Sequence, residues 1–447
     1  MRARAWKYIA AVAFACVAIP AWSFDLLGAY RDALANDANF LAARSALQAT
    51  RENLPQARAG LLPQVSANAQ WARNNIDRSD ALATGGTLDR NFYYAAESAS
   101  VALRQPLYRR LNWAQLSFAE AQVAAAEAAF EKDRQDAGLR VAQAYFEVLF
   151  AQTRVRLLEA QVEAFTGQLK LAERSFATGA GTRTDIDDAR ARALQAKAGL
   201  TEANYAVDNA RRTLGSLIGK TPPPLADVVP SRLSLMPPEP VALEHWLSQA
   251  EAANPELASL RHQLEMARQE IEKQRAGHHP TLDLIAGRQY GSSDTVNTTN
   301  TRYTTDYVGV QVAIPIFSGG GVSAAVRQAE ANLDRTRFLF DATRQRIGVD
   351  TQKFFHGVAQ GGEKVRSFEA ALEAAEQAVV STRKGLEAGT RTQVDVLDAL
   401  QRVAESAQNV ARARYELLLY RVQLAATVGA LDDELFARVN SALAHGG

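Results

Sequence analysis

The chain has 447 residues and a formal net charge of +1. That balance sets up no field to draw in nucleic acid, so a nucleic-acid partner is not expected. Its single cysteine, Cys16, excludes a disulfide framework. No Ser/His/Asp set and no carboxylate pair in a cleft is evident, so neither an enzyme nor a cofactor is expected. His278-His279 sits at a strand corner, where such a pair reads as structural or solvated rather than as a metal site.

Residues 1–23 read as a secretory signal. Arg2, Arg4 and Lys7 precede an apolar run from Tyr8 to Ile19, and Ala21-Trp22-Ser23 offers small residues for cleavage before Phe24. The run is too short to anchor the chain in a bilayer. Ala13-Phe14-Ala15 is a poor match to a site that would lipidate Cys16. No later apolar run reaches membrane-helix length, but that does not bear on barrel strands, whose alternation averages out.

Asp25 to about Ala59 reads as mostly helix, disturbed near Pro55 and ended by Gly60 and Pro63. Val65, Ala67, Ala69 and Trp71 then alternate with Ser66, Asn68, Gln70 and Arg73-Asn74, which predicts a strand. A polar loop with Gly85-Gly86 leads to a second strand over about Tyr93–Leu103, closed by Pro106. From Leu111 to Phe176 the pattern is one helix on the order of 100 Å long. Val141, Val148, Val155, Val162 and Leu169 recur every seventh position, with Ala144, Ala151, Leu158, Phe165 and Ala172 three residues after each, as in a coiled-coil seam. A tight tip and a return helix to about Ile218 follow.

Residues 220–240 hold half of the chain's 14 prolines and read as a linker. Beyond it the plan repeats. Leu243–Ala276 is helical with a break at Asn254-Pro255. Leu282, Leu284 and Ala286 begin a strand, a polar loop covers Gly291–Thr305, and Val308 to Ile316 alternate. Gly319-Gly320-Gly321 opens a second long helix; with no Lys-Ser/Thr after it, this is a packed corner rather than a phosphate cradle. The second seam, Val358, Val365, Leu372 and Val379, lies 210 residues after the first. The expected organisation is therefore a signal (1–23), a first repeat (24–219), the linker (220–240), a second repeat (241–430) and a short C-terminal segment (431–447).

The repeat is sharpest at the tips. Gly389-Thr390-Arg391-Thr392-Gln393-Val394-Asp395 and Gly179-Ala180-Gly181-Thr182-Arg183-Thr184-Asp185 share Gly-x-x-Thr-x-x-Asp at the same 210-residue offset. Gly179 and Gly389 suit a left-handed helix stop. Thr182 and Thr392, each with Asp three residues on, predict capping boxes. Asp398 shares a helical face with Asp395 and has no capping duty, so several copies around one axis would stack their carboxylates into rings. Asp187 and Asp188 add acidity to the first tip, Asp187 reading as a solvated turn residue. Arg391 and Arg183 occupy different slots of the repeat.

Four strands per chain, each about the length of a tilted bilayer crossing, cannot close a barrel, so copies must pool them. Two copies would give a filled eight-stranded interior, and three would begin to leave a lumen. These features, with Pro280-Thr281-Leu282-Asp283-Leu284, Ile314-Pro315-Ile316-Phe317, Tyr415 and the tip Gly389-Thr390-Arg391-Thr392 leading to Asp395-Val396-Leu397-Asp398-Ala399, resemble the TolC family of outer-membrane channels from about Phe24 to Gly429. The resemblance implies a mainly α chain with a membrane β-barrel: a homotrimer with a 12-stranded barrel in outer-membrane lipid and a helical tunnel through the periplasm. It implies an exit duct for efflux or type I secretion, working with a periplasmic adaptor (membrane fusion protein) and an inner-membrane ABC or proton-driven exporter. It makes Asp395 and Asp398 constriction rings and Arg391 a latch onto Thr184 and Asp185 of the neighbouring tip. The family's latch tyrosine corresponds to Leu386, which cannot donate a hydrogen bond. The competing reading is a non-channel structural or adhesive coiled-coil protein of the envelope, which would have no need of the strand hairpins.

Overall fold

The computed structural model describes residues 24–293 and 301–443; the expected signal segment with Cys16 lies outside the described residues. The predicted first helix is three: α1 (Leu26–Asn36), α2 (Ala38–Arg51) and α3 (Asn53–Ala59). Asp37 causes the first break. Its backbone is extended, one carboxylate oxygen accepts from Asn39 N at 2.9 Å, and the other pairs with Arg140 at 2.6 Å. Pro55 sits inside the first turn of α3, where a missing N–H leaves no bond unmade.

Four strands form one antiparallel sheet in chain order: β1 (Gln64–Ala81), β2 (Thr87–Arg109), β3 (Thr281–Ser293) and β4 (Thr301–Ala313). The first hairpin extends well past its predicted limits. Polar pairs across it, Asn91 to Asp77 and Ser79 to Asp89, continue the ladder through what reads as loop. Pro106 does not end β2; a register shift between Pro106 and Tyr108 absorbs it, and pairing runs on to Arg109. β4 stops at Ala313, ahead of Pro315, so Ile314 and Ile316 leave the sheet.

Val65, Leu103, Ala286 and Val308 lie in one cross-strand row on the apolar face. On the opposite face two tyrosines cover two glycines. Gly287 pairs with Tyr307 and Gly291 with Tyr303, and a Cβ on either glycine would overlap the ring. At the base of that face Asp283, only 2% exposed, takes Arg104 at 2.5 Å and Arg109 at 2.6 Å. This carboxylate clasps β3 of one repeat to β2 of the other. β1 and β4 each have a single neighbour, so both outer edges of the sheet are bare.

The helices are α4 (Arg110–Ala177), α5 (Arg183–Ile218), α6 (Leu243–Ala253), α7 (Pro255–Arg275), α8 (Gly321–Glu387), α9 (Gln393–Thr427) and α10 (Asp433–Asn440). The break between α6 and α7 falls at Asn254, whose side chain caps Glu256 and Leu257. Positive φ at Gly319 and Gly320 turns β4 into α8. Val141, Val148, Leu158, Phe165 and Ala172 of the first seam are buried, as are Val358, Val365 and Val379 of the second. α4 packs against α5, α7 and α9, and α8 against α6, α7 and α9, so α5 and α8 are the flanks. Leu194 and Tyr205 on α5, and Phe338, Val349 and Val380 on α8, are left exposed there.

Near mid-length the linker crosses the bundle. Phe24 bridges Leu225 in parallel and Val228 bridges Leu443. The Tyr145 hydroxyl lies 2.9 Å from the Phe24 carbonyl and 3.0 Å from that of Ala226, while Tyr415 donates to Asp227. Burial pushes both phenols up, so they remain donors. At Gly362 the linker touches α8: a Cβ there would stand 2.1 Å from the Leu235 carbonyl oxygen. Gly362→Ala is therefore expected to displace the linker and lower the thermal midpoint of the protein. Gly199→Ala, whose Cβ would meet Leu158 Cδ2 at an ordinary 3.6 Å, should hold or raise it by helix propensity, about 0.5–1 kcal/mol.

Candidate functional site at the hairpin tips

The two tips are the same hydrogen-bonded frame built twice. Gly179 and Gly389 have φ of 76° and 73°. Ala180 N and Gly181 N donate to Ser175 O at 2.9 and 3.1 Å; Thr390 N and Arg391 N donate to Gly385 O at 2.8 and 3.1 Å. Each frame is a helix C-terminus whose last carbonyls are satisfied by the turn that leaves it.

Each return helix opens on a complete capping box. Asp185 N donates to Thr182 Oγ1 and Asp395 N to Thr392 Oγ1, both at 3.2 Å. In return Asp185 Oδ2 accepts from Thr182 N at 2.9 Å, and Asp395 Oδ2 from Thr392 N at 2.8 Å. The bonds from the Thr392 backbone and hydroxyl, helped by the charges of Arg391 and Arg402, hold the Asp395 carboxyl below the usual carboxylate range.

The frames differ in where bulk is placed. In the second tip the Arg391 stem folds over Gly385, where a Cβ would meet Arg391 Cγ at 2.7 Å. In the first tip the positions are exchanged: Ser175 carries the side chain and Gly181 is bare, with a Cβ there falling 3.0 Å from Ser175 Cβ. In each pair a second side chain would crowd the first, and only the second tip gives the space to a cation. Arg183, the first tip's arginine, lies 3.5 Å from Asp187 on its own helix. Among the described residues no bond within one chain joins Arg391 to Thr184 or Asp185.

Asp398 has a partner that sequence reading missed. Arg192 of α5 reaches across to α9 and donates to Asp398 Oδ1 at 2.5 Å. Nearby, Gln393 Nε2 donates to Gln168 Oε1 at 2.9 Å and Gln161 Nε2 to Gln401 Oε1 at 2.6 Å, tying α9 to α4. Leu397, fully buried, seats among Phe165, Ala189 and Ala196. Three polar links and one apolar plug thus join the two hairpins of a chain near their tips. The signal for Arg192 was present: it lies seven residues after Asp185, on the same helical face, but a long-range partner is invisible to local spacing. Asp188 is partly exposed on α5 beside this group.

The boxes predict a measurable effect at the tips. A lowered carboxyl pKa contributes stability that is present above the unfolded carboxylate pKa and lost as pH falls through the folded one. Acidification through the carboxylate range should fray the start of α9, and Thr392→Ala should do so at neutral pH at a cost of about 1 kcal/mol. Amide exchange of residues 393–396, compared between parent and variant at matched intrinsic rates, reads both effects.

Comparison with known proteins places this architecture. The model of the family described as Outer membrane efflux protein matches residues 29–220 and 246–430. The alkaline protease secretion protein AprF of Pseudomonas aeruginosa is 33% identical over 416 residues, covering 92% of this chain and 86% of that protein. The proteases secretion protein PrtF of Dickeya chrysanthemi is 32% identical, covering 93% and 90%. Among solved structures, the outer membrane protein VceC of Vibrio cholerae superposes with a TM-score of 0.75 at 18% identity, over 91% of this chain and 97% of that one.

Proposed function

This chain belongs to the outer membrane efflux protein family, hence is an outer-membrane channel component of the Gram-negative envelope and not an enzyme, and on that premise we propose that three copies close into one exit duct gated at the hairpin tips. The observation that carries the reading is the bare-edged sheet. In lipid the unpaired N–H and C=O groups along β1 and β4 would each cost several kcal/mol, and pairing β1 of one copy with β4 of the next removes the edges. Twelve strands leave a lumen where eight would be filled. The flanks repeat the logic: α5 of one copy meets α8 of the next, covering Leu194, Tyr205, Phe338 and Val349 in a head-to-tail interface that closes as a ring.

The tips are the gate. Asp395 of each copy faces a common axis, and the bonds from Thr392 that hold its carboxyl below the usual carboxylate range oppose the mutual repulsion of the ring. Asp398 adds a second ring whose charge is shared with Arg192. Carboxylate rings favour cations, multivalent ones most. Arg391 is the latch toward Thr184 and Asp185 of the neighbouring tip, and Leu386 adds no hydrogen bond to it. The duct receives cargo from an inner-membrane ABC or proton-driven exporter through a periplasmic adaptor. The names of AprF and PrtF speak of protease secretion, which supports type I protein export as its traffic beside small-molecule efflux.

Planar-bilayer recording tests this reading. The purified protein is expected to give small, cation-selective conductance, blocked by a multivalent cation added on the tip side. Asp395→Asn should weaken the block more than Asp398→Asn, since only Asp395 lacks an arginine partner at hydrogen-bond distance. Arg391→Ser should raise conductance and Leu386→Tyr should lower it. A protein that forms no pore would overturn the assignment.

A further inference from the structure

The Arg192–Asp398 pair has a counterpart that one chain cannot form. Shifting by the repeat length of 210 residues carries Arg192 to Arg402 and Asp398 back to Asp188. Both residue types are kept at both ends of the shift. In a single chain α5 contacts α9, and Arg192 of α5 bonds Asp398 of α9 at 2.5 Å. Around a ring of copies the same contact recurs with the roles exchanged, α9 of one copy against α5 of the next. Arg402 is exposed on α9 and Asp188 partly exposed on α5, and neither has a hydrogen-bond partner among the described residues.

We propose that Arg402 of one copy binds Asp188 of the next, completing a ring of alternating Arg–Asp links at the closed end of the duct. The proposal rests on the trimeric reading above and adds to it the residues that hold copy to copy. The other intrachain links are not repeated by the shift. Gln161 and Gln401 fall on Ala371 and Ala191; Gln168 and Gln393 fall on Ala378 and Arg183; the plug Leu397 falls on Asp187 and its socket Phe165 on Ala375. The seam within a chain has three polar links and a buried leucine, whereas the seam between chains retains one link of that set. The between-copy seam is thus the weaker one, and the Arg402–Asp188 pair, with the Arg391 latch, sets the force needed to part it. A single charge-assisted bond repeated between copies is a link that can be broken without unpacking a core.

The test uses the mature protein, which starts after the expected signal segment and so carries no cysteine of its own, Cys16 being the chain's only one. Asp188→Cys with Arg402→Cys, treated with a short bis-thiol-reactive linker, should give dimer and trimer bands on a denaturing gel. Arg192→Cys with Asp398→Cys should link within the chain and run as monomer. Assembly is monitored independently by native mass. If trimers form but the first pair links only within the chain or not at all, the inference is overturned while the trimeric reading stands; if no oligomer forms, the trimeric reading fails and the inference with it. Charge reversal supplies a second readout. Arg402→Glu alone and Asp188→Lys alone should each raise conductance about tenfold, the shift expected from losing a charge-assisted bond, and the two combined should return it toward the parent value. Failure of the combination to restore low conductance would also overturn the pairing.

Discussion

The constraint on which the rest depends is that backbone hydrogen bonds must be completed in lipid. One chain pairs β2 with both β1 and β3, and β3 with β4, and leaves two edges. A lone sheet of that kind is not viable at membrane depth. Everything that surrounds it reads as a device for delivering its edges to other copies. The Asp283 clasp to Arg104 and Arg109 fixes the seam between the repeats just where the strands give way to helices. Gly319 and Gly320 turn the last strand into α8 at the matching place in the second repeat. The long helices then lead from the strands to the far end, where the two tips of the chain lie.

Duplication supplies the second organising fact, and departures from it distinguish the two tips. The turn frames at Ser175–Thr182 and Gly385–Thr392 have matching hydrogen bonds, so their backbone chemistry is a shared scaffold. The differences are a glycine exchanged for an arginine at 181 and 391, glutamines and a leucine that glue α9 to its own chain, and the absence of those groups at the shifted positions. On the proposed ring these unequal seams would part at the weaker one.

Much of this was legible in the amino-acid order. Periodicity exposed the seams because Val141 to Leu169 recur every seventh residue, with Val141 and Val148 buried and Val155, Val162 and Leu169 half-buried. The capping boxes were legible because Thr and Asp three apart satisfy each other's backbone through local bonds. Strand lengths were not, since past Asn74 and ahead of Tyr93 the ladder runs on through Asp77, Ser79, Asp89 and Asn91, whose polar partners lie on the other strand. Likewise Pro106 reads as a stop when the bulge that accommodates it is a property of the β2–β3 pair. Arg192 escaped for the same reason: its partner is 206 residues away in sequence, and the chain order does not report which helix faces which. Local chemistry was readable, and long-range partners required the fold.

The central claim is that edge pairing demands more than one copy and an open lumen demands three, and it can be read directly from mass. Native mass spectrometry of the detergent-solubilised protein should show particles containing three chains, with no free monomer surviving at concentrations where the barrel is intact. Particles of one or two chains that remain folded would contradict the account, because β1 and β4 would then be satisfied without closing a twelve-stranded wall.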